Sequence, residues 1–221
     1  MKKKIMITGS KGQIGSYLCK KLSNQYKIIK IDKEFDSNNS SKLSKLLKQK
    51  IYAIIFAHGH NSTPLKKSKK KEIFNEDEIQ EFLNINFFLN LKIIKHYLQN
   101  NKSGRIINFS TIYSLKSPKH FIYKNFNKDM GYSISKAASN MMMIYLGTKY
   151  GKKFLFNSII LGGVKNKNLD KYFQRNYEKN SPMGRMIELK EVLPAINYLL
   201  DENNKYSNAQ NIPLDGGWLS W

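Results

Sequence analysis

Short apolar runs closed by small or polar residues alternate along the chain with longer stretches whose apolar residues fall at helical spacing. Lys3–Thr8, Tyr26–Ile31, Ala53–Ala57, Gly104–Phe109 and Phe154–Leu161 read as buried strands, and Asn211–Leu214 leads into the C-terminal segment. Between them, Ser16–Ser23, Lys42–Gln49 (capped within Ser37–Ser41), Glu78–Leu98, Ala137–Tyr150 and Glu191–Leu200 read as helices. Asn61–Glu76 is basic and polar and reads as an exposed connection, and Asn166–Lys179 is charged and aromatic and reads as a helical lid over roughly 165–186. Strands alternating with helices predict one α/β domain with a doubly wound parallel sheet, and no internal repeat or domain-scale linker breaks it. The chain between Asp32 and Ala53 leaves little room, so a strand and helix that such sheets often carry there are shortened or missing. Met141, Met142 and Met143 read as core filler.

The pattern also says where a ligand should sit. Gly9-Ser10-Lys11-Gly12-Gln13-Ile14-Gly15 lies between the first strand and the first helix, the context of a dinucleotide-binding turn in a Rossmann-like sheet. Glycines let the backbone approach a pyrophosphate, and the helix start adds N–H groups and a positive dipole end. Asp32 ends the second strand, where a carboxylate can accept bonds from ribose hydroxyls and repel a 2′-phosphate. That favours NAD over NADP, although Lys33 and Lys11 could each offset a phosphate. Ala57-His58-Gly59 opens the loop after the next strand, at the carboxyl edge where ligands bind. His58 and His60 have no carboxylate or cysteine at matching spacing, so they read as loop residues beside a cofactor rather than as metal ligands.

Tyr132 and Lys136 stand one helical turn apart. A lysine ammonium beside a phenol favours the phenolate, which is how a tyrosine becomes a general acid–base.

Composition narrows the classes. The 221 residues carry 38 basic and 16 acidic side chains, a net charge of +22, which suggests a polyanion partner. Yet only Arg105, Arg175 and Arg185 are arginine and the lysines run along the whole chain, so anionic small molecules are expected rather than nucleic acid. Cys19 is the one cysteine, which excludes an internal disulfide and suits a reducing cytoplasm. No apolar run reaches the roughly 18 residues that span a bilayer.

Taken in order, the glycine turn, a helix asparagine, Asn108-Phe109-Ser110-Thr111, Tyr132-x-x-x-Lys136, Gly162-Gly163-Val164 and Asp215-Gly216-Gly217 resemble the short-chain dehydrogenase/reductase superfamily over essentially the full chain. Phe121-Ile122-Tyr123, Pro182-Met183-Gly184-Arg185-Met186 and Asp215-Gly216-Gly217-Trp218 are similar to the sugar dehydrogenases of flagellin-modification and nonulosonate pathways. The resemblance implies an NAD(P)-dependent oxidoreductase, commonly a homodimer or homotetramer. It interconverts a secondary alcohol and a ketone, on a phosphorylated or nucleotide-linked sugar in surface-glycan synthesis. It implies that Tyr132 exchanges the proton, that Lys136 lowers its pKa and binds the nicotinamide ribose, and that Thr111 or Ser110 bonds the reacting oxygen. The helix asparagine is Asn86, with Asn84 as second choice. Gly162, Gly163 and Val164 hold the nicotinamide end of the cofactor.

Departures bear on details. Leu161 replaces a proline that usually precedes the paired glycines, which leaves that loop less rigid. Phe56-Ala57-His58-Gly59 lacks the asparagines often found there. The stretch from Thr111 to Tyr132 is longer than usual and carries Lys116, Lys119, His120, Tyr123, Lys124 and Lys128. It reads as a substrate loop (about 112–131) that grips a phosphate or nucleotide-sugar, or else as a solvated basic loop. A 3-oxoacyl or other small-carbonyl reductase is the enzymatic alternative, and a non-catalytic dinucleotide-binding regulator the alternative from another class.

Overall fold

The computed structural model describes residues 2–32, 45–62 and 75–221. Six parallel strands, β1 (Lys4–Thr8), β2 (Lys27–Ile31), β3 (Ala53–Phe56), β4 (Gly104–Thr111), β5 (Phe154–Leu161) and β6 (Gln210–Leu214), lie in the order β2-β1-β3-β4-β5-β6. The connections run outward in opposite directions from β1 and β3, so their carboxyl ends flank the crevice where ligands bind in sheets of this kind. Among the described residues β2 and β6 are the edge strands. Lys33, the Ser37–Ser41 cap and most of the connection after Asn61 lie outside the described residues, and of the expected Lys42–Gln49 helix only 45–47 is described as helical.

The strands are apolar on both faces, and helices cover both. Ile5 and Ile7 point to one side, against Leu18 and Leu22 of α1 (Gln13–Leu22) and Ile196 and Leu199 of α6 (Leu189–Leu200). Met6 and Ile54 point to the other, against Ile93, Ile94 and Tyr97 of α3 (Leu89–Asn100) and Met143 of α4 (Met130–Tyr150). Met142 joins Met143 in that core, whereas Met141 is 63% exposed, so only two of the three methionines are filler.

Two departures from the expected elements position the site. β4 continues through Ser110 and Thr111, which pair with Ile160 and Leu161 as strand residues rather than beginning a loop. The helix expected over Glu78–Leu98 is instead α2 (Glu76–Leu83), a π-helical turn (Asn84–Phe88) and then α3. Asn75 caps α2 by accepting the Glu78 N–H at 3.1 Å. The π turn adds a residue to the helix and turns both Asn86 and Asn90 towards α4. There Asn86 donates to Ser135 Oγ at 2.9 Å and Asn90 to Ser139 Oγ at 3.3 Å.

α4 reaches the site because its first turn approaches α2 closely at Gly131. A Cβ there would stand 2.8 Å from Phe82 Cδ2 and 2.9 Å from Ile79 Cα. Gly131→Ala must push the helices apart, at a cost of about 1–3 kcal/mol. The expected outcome is a lower melting temperature together with a several-fold loss of turnover, because Tyr132 moves with the helix. Thermal melts and steady-state rates on the same preparation check it.

Candidate functional site

The carboxyl edge of the sheet opens into a cleft of about 340 Å³. From the glycine turn, Gly12, Gln13 and Ile14 line it; from the loop after β3, Ala57, His58 and Gly59; from β4, Ser110 and Thr111. Tyr132 and Lys136 of α4 and Gly162, Gly163 and Val164 after β5 complete the wall. Gly9, Ser10, Lys11, Gly15, Asp32 and Asn86 do not line the cleft.

The turn after β1 requires its glycines. Gly9 has φ +64°, and a Cβ on it would meet His58 Cα at 2.6 Å. A Cβ on Gly15 would fall 2.1 Å from the Gly9 carbonyl oxygen. Gly12 N–H donates to that oxygen at 2.9 Å, and Ser10 N–H ties the loop to Ile31 O at 3.1 Å. Gly12 caps α1 with no side-chain bond, so the first-turn N–H groups of a ten-residue helix face the cleft without a capping side chain. Asp32 accepts the Lys11 N–H at 2.6 Å, which sets its carboxylate beside the turn. A tight cradle of amides with a carboxylate at its outer end fits a dinucleotide.

His58 is built into the floor. Its Nδ1 lies 2.6 Å from Thr8 Oγ1 and its Nε2 3.1 Å from Ile85 O. Ile85 O can only accept, so Nε2 carries the proton and Nδ1 accepts from the threonine. Asn86 clamps the next residues, accepting the His60 N–H at 2.9 Å and donating to His60 O at 3.1 Å. Asn84 instead accepts from Gln80 Nε2 on the exposed side at 2.9 Å. Among the described residues no group of three His, Cys, Asp or Glu could hold a metal ion.

Tyr132 and Lys136 are both buried, at 9% and 5% exposure. The Thr111 side chain favours the ionised form of the Tyr132 phenol and accepts the Tyr113 N–H at 3.3 Å. Ser110 donates to Ser114 Oγ at 3.2 Å. Lys136 Nζ donates to Phe109 O at 2.9 Å.

Burial opposes the expected lowering of the phenol pKa by Lys136. Burial pushes Tyr132 up to about 12, and the Thr111 bond pulls it back only in part. Burial also pulls Lys136 down to about 8, which weakens the charge that would act on the phenol.

The loop after β5 is held by residues that the motif reading did not single out. Tyr177 of α5 (Lys171–Lys179) accepts the Gly163 N–H at 2.6 Å. Its ring stacks on Trp218 with centroids 4.5 Å apart, and it adjoins Phe173, which stacks on Tyr123 at 5.0 Å. Ile187 N–H donates to Gly163 O at 2.9 Å. The missing proline at Leu161 is thus offset by an aromatic stack and backbone bonds. The aromatic spacing of Phe173 and Tyr177 in the lid segment was the available signal.

The lysines also gather more than their spread in sequence suggested. At the amino edge of the sheet Lys4, Lys50, Lys102, Lys153 and Arg105 border a second groove. Arg105 itself is structural there, donating to Tyr52 Oη at 2.9 Å and Asn204 O at 2.8 Å.

The buried His58 has a consequence for acid stability. Burial, together with the Lys136 charge, holds its folded pKa at about 4 against 6.5 for an unperturbed histidine. As pH falls from 6.5 to 4 the unfolded chain gains a proton that the folded protein refuses, so stability is lost across that window. The melting-temperature difference between wild type and His58→Asn should therefore shrink on acidification from pH 6.5 to 4. A difference that stays constant in calorimetric scans would contradict the assignment.

A family model described as enoyl-(acyl carrier protein) reductase, within the short-chain dehydrogenases, matches residues 41–219. The chain is 24% identical to post-translational flagellin modification protein A of Campylobacter coli, over 97% of each chain. Among solved structures it resembles a short-chain dehydrogenase of Leptospira borgpetersenii with bound NAD+, with TM-score 0.85 and 22% identity over 99% of this chain and 93% of that one. It also resembles a gluconate 5-dehydrogenase of Burkholderia cenocepacia in complex with NADP and tartrate, with TM-score 0.79 and 16% identity over 99% and 96% of the two chains. With the family model spanning most of its length, the chain belongs to the short-chain dehydrogenase/reductase family of oxidoreductases.

Proposed function

We propose that the protein is an NAD(P)-dependent oxidoreductase that interconverts a secondary alcohol and a ketone on an anionic sugar, phosphorylated or nucleotide-linked, in surface-glycan synthesis. The observation that carries this reading is the convergence of Tyr132, Lys136 and Thr111 on one cleft walled by the amide cradle of α1. The flagellin-modification relative supports the sugar, and the NAD+ and NADP of the structural neighbours support the cofactor.

In this mechanism the turn Gly9–Gly15 and the start of α1 hold the pyrophosphate. Asp32 takes the adenosine ribose, and Gly162, Gly163 and Val164 face the nicotinamide. A bound nicotinamide would supply the hydride acceptor or donor. Tyr132 Oη takes the proton of the alcohol during oxidation and returns it during reduction. The Thr111 hydroxyl holds the reacting oxygen against Tyr132; its influence on that phenol, and the bond of Ser110 to Ser114, favour it over Ser110. Lys136 reaches the ribose hydroxyls and, charged, stabilises the phenolate. Asn86 positions the loop over Lys136, since a Cβ on Gly59 would lie 3.2 Å from Asn86 Oδ1 and 3.3 Å from Lys136 Nζ. The protein would act in the cytoplasm as a homodimer or homotetramer.

The description of the family model favours one second reading, a reductase of acyl-carrier or other small carbonyl substrates. Cofactor reduction or oxidation across sugar phosphates, sugar nucleotides and acetoacetyl-type substrates separates the two. Turnover confined to the last group would replace the sugar reading.

Tyr132→Phe should lower kcat by about 10²–10⁴-fold, the worth of a positioned proton-transfer group, while titration shows cofactor affinity little changed. Retained turnover would refute the mechanism. Wild type should prefer NAD+ over NADP+ in kcat/KM, and Asp32→Asn should narrow that preference about tenfold or more. That substitution removes the charge while keeping an acceptor for the Lys11 N–H, and a preference unchanged in it would show that Asp32 does not discriminate.

A further inference from the structure

Lys128 stands two residues before α4 and lines the cleft, yet none of the steps above uses it. It is 8% exposed. Its Nζ donates to Asn61 Oδ1 at 2.5 Å and to Ser62 O, and it lies 3.9 Å from the centroid of the Tyr132 ring. Among the described residues no carboxylate forms an ion pair with it. Burial pulls the ammonium down to about 7, and the neighbouring Asp129 charge resists this only in part. A desolvated cation surrounded by neutral oxygens and a ring face lacks the counter-charge that buried ions ordinarily have.

The other lysines of the same loop are placed differently. Lys116 donates to Leu219 O at 2.6 Å, and Lys119 lies 4.7 Å over the ring of Trp218. Lys128 is the loop cation that borders the reacting group.

We propose that Lys128 is a substrate-anion site: it binds a carboxylate or phosphate carried within about one sugar ring of the carbon whose oxygen Tyr132 handles. The inference rests on the oxidoreductase reading for the identity of that carbon. It goes beyond it in requiring an anionic group on the reacting unit itself. A charge-assisted bond of this kind contributes enough to change affinity about tenfold or more.

The test uses the NAD+-loaded protein with malonate and inorganic phosphate as probes, followed by calorimetric titration. Wild type should bind at least one; preference for malonate points to a carboxylate substrate and preference for phosphate to a phosphorylated one. Lys128→Met should weaken that binding about tenfold or more, Lys128→Arg should largely retain it, and NAD+ affinity should stay the same in both. A measurement without a variant guards against misfolding: saturating malonate or phosphate should raise the pKa of the buried lysine in wild type by about one unit or more, read by NMR of labelled lysines. Failure of wild type to bind either anion, undiminished binding in a folded Lys128→Met, or an unmoved lysine titration would each overturn the proposal. None of these readouts depends on turnover, so they fail independently of the Tyr132→Phe test.

Discussion

The site depends on one set of buried bonds, those from Asn86 and Asn90 to Ser135 and Ser139 across the α3–α4 seam. Apolar packing between two helices tolerates small slides, because its energy is non-directional. A buried amide facing a buried hydroxyl does not, since a slip leaves polar groups unpaired at a cost of about 1–3 kcal/mol each. Asn86 extends the same constraint to a third element by holding both backbone groups of His60. One side chain therefore sets α4, the loop after β3 and the π turn in a common frame. Tyr132 and Lys136, on the first turns of α4, inherit their places against the end of β4 from that frame.

Three ionisable groups lie out of water together at this end of the cleft. Tyr132 is raised by burial, while Lys136 and Lys128 are lowered by it, so each group is held towards its neutral form. The acid–base pair is thus assembled, with burial working against the charged form of each partner. An occupant that brings positive charge, as an oxidised nicotinamide does, shifts the phenol towards phenolate. A negative charge on the substrate shifts Lys128 towards ammonium.

Much of this was legible in the residues. The alternation of Ile5, Met6 and Ile7 shows a strand buried on both faces, and Gly9 and Gly15 sit where any Cβ would strike backbone. The spacing of Tyr132 and Lys136 placed both on one buried turn at the cleft. The π turn was not legible, because a single added helical residue leaves the apolar spacing of Glu78–Leu98 almost intact. Nor could spacing separate Thr111 from Ser110: both carry hydroxyls, and only the fold brings Ser110 onto Ser114 and Thr111 under the influence of the Tyr132 phenol. Tyr177 escaped because its partners, Gly163 and Trp218, carry no signal in the spacing, and Lys128 could be read only as one of several loop cations, since its partners Asn61 and Ser62 lie far away in sequence.

The central claim is that Tyr132 is the proton-transfer group and that filling the cleft brings it into range. Its titration can be read directly as the ultraviolet difference between wild type and Tyr132→Phe, with and without NAD+. The account predicts a phenol titrating near 12 in the ligand-free protein and markedly lower in the NAD+ complex. A titration that NAD+ leaves unmoved would contradict it.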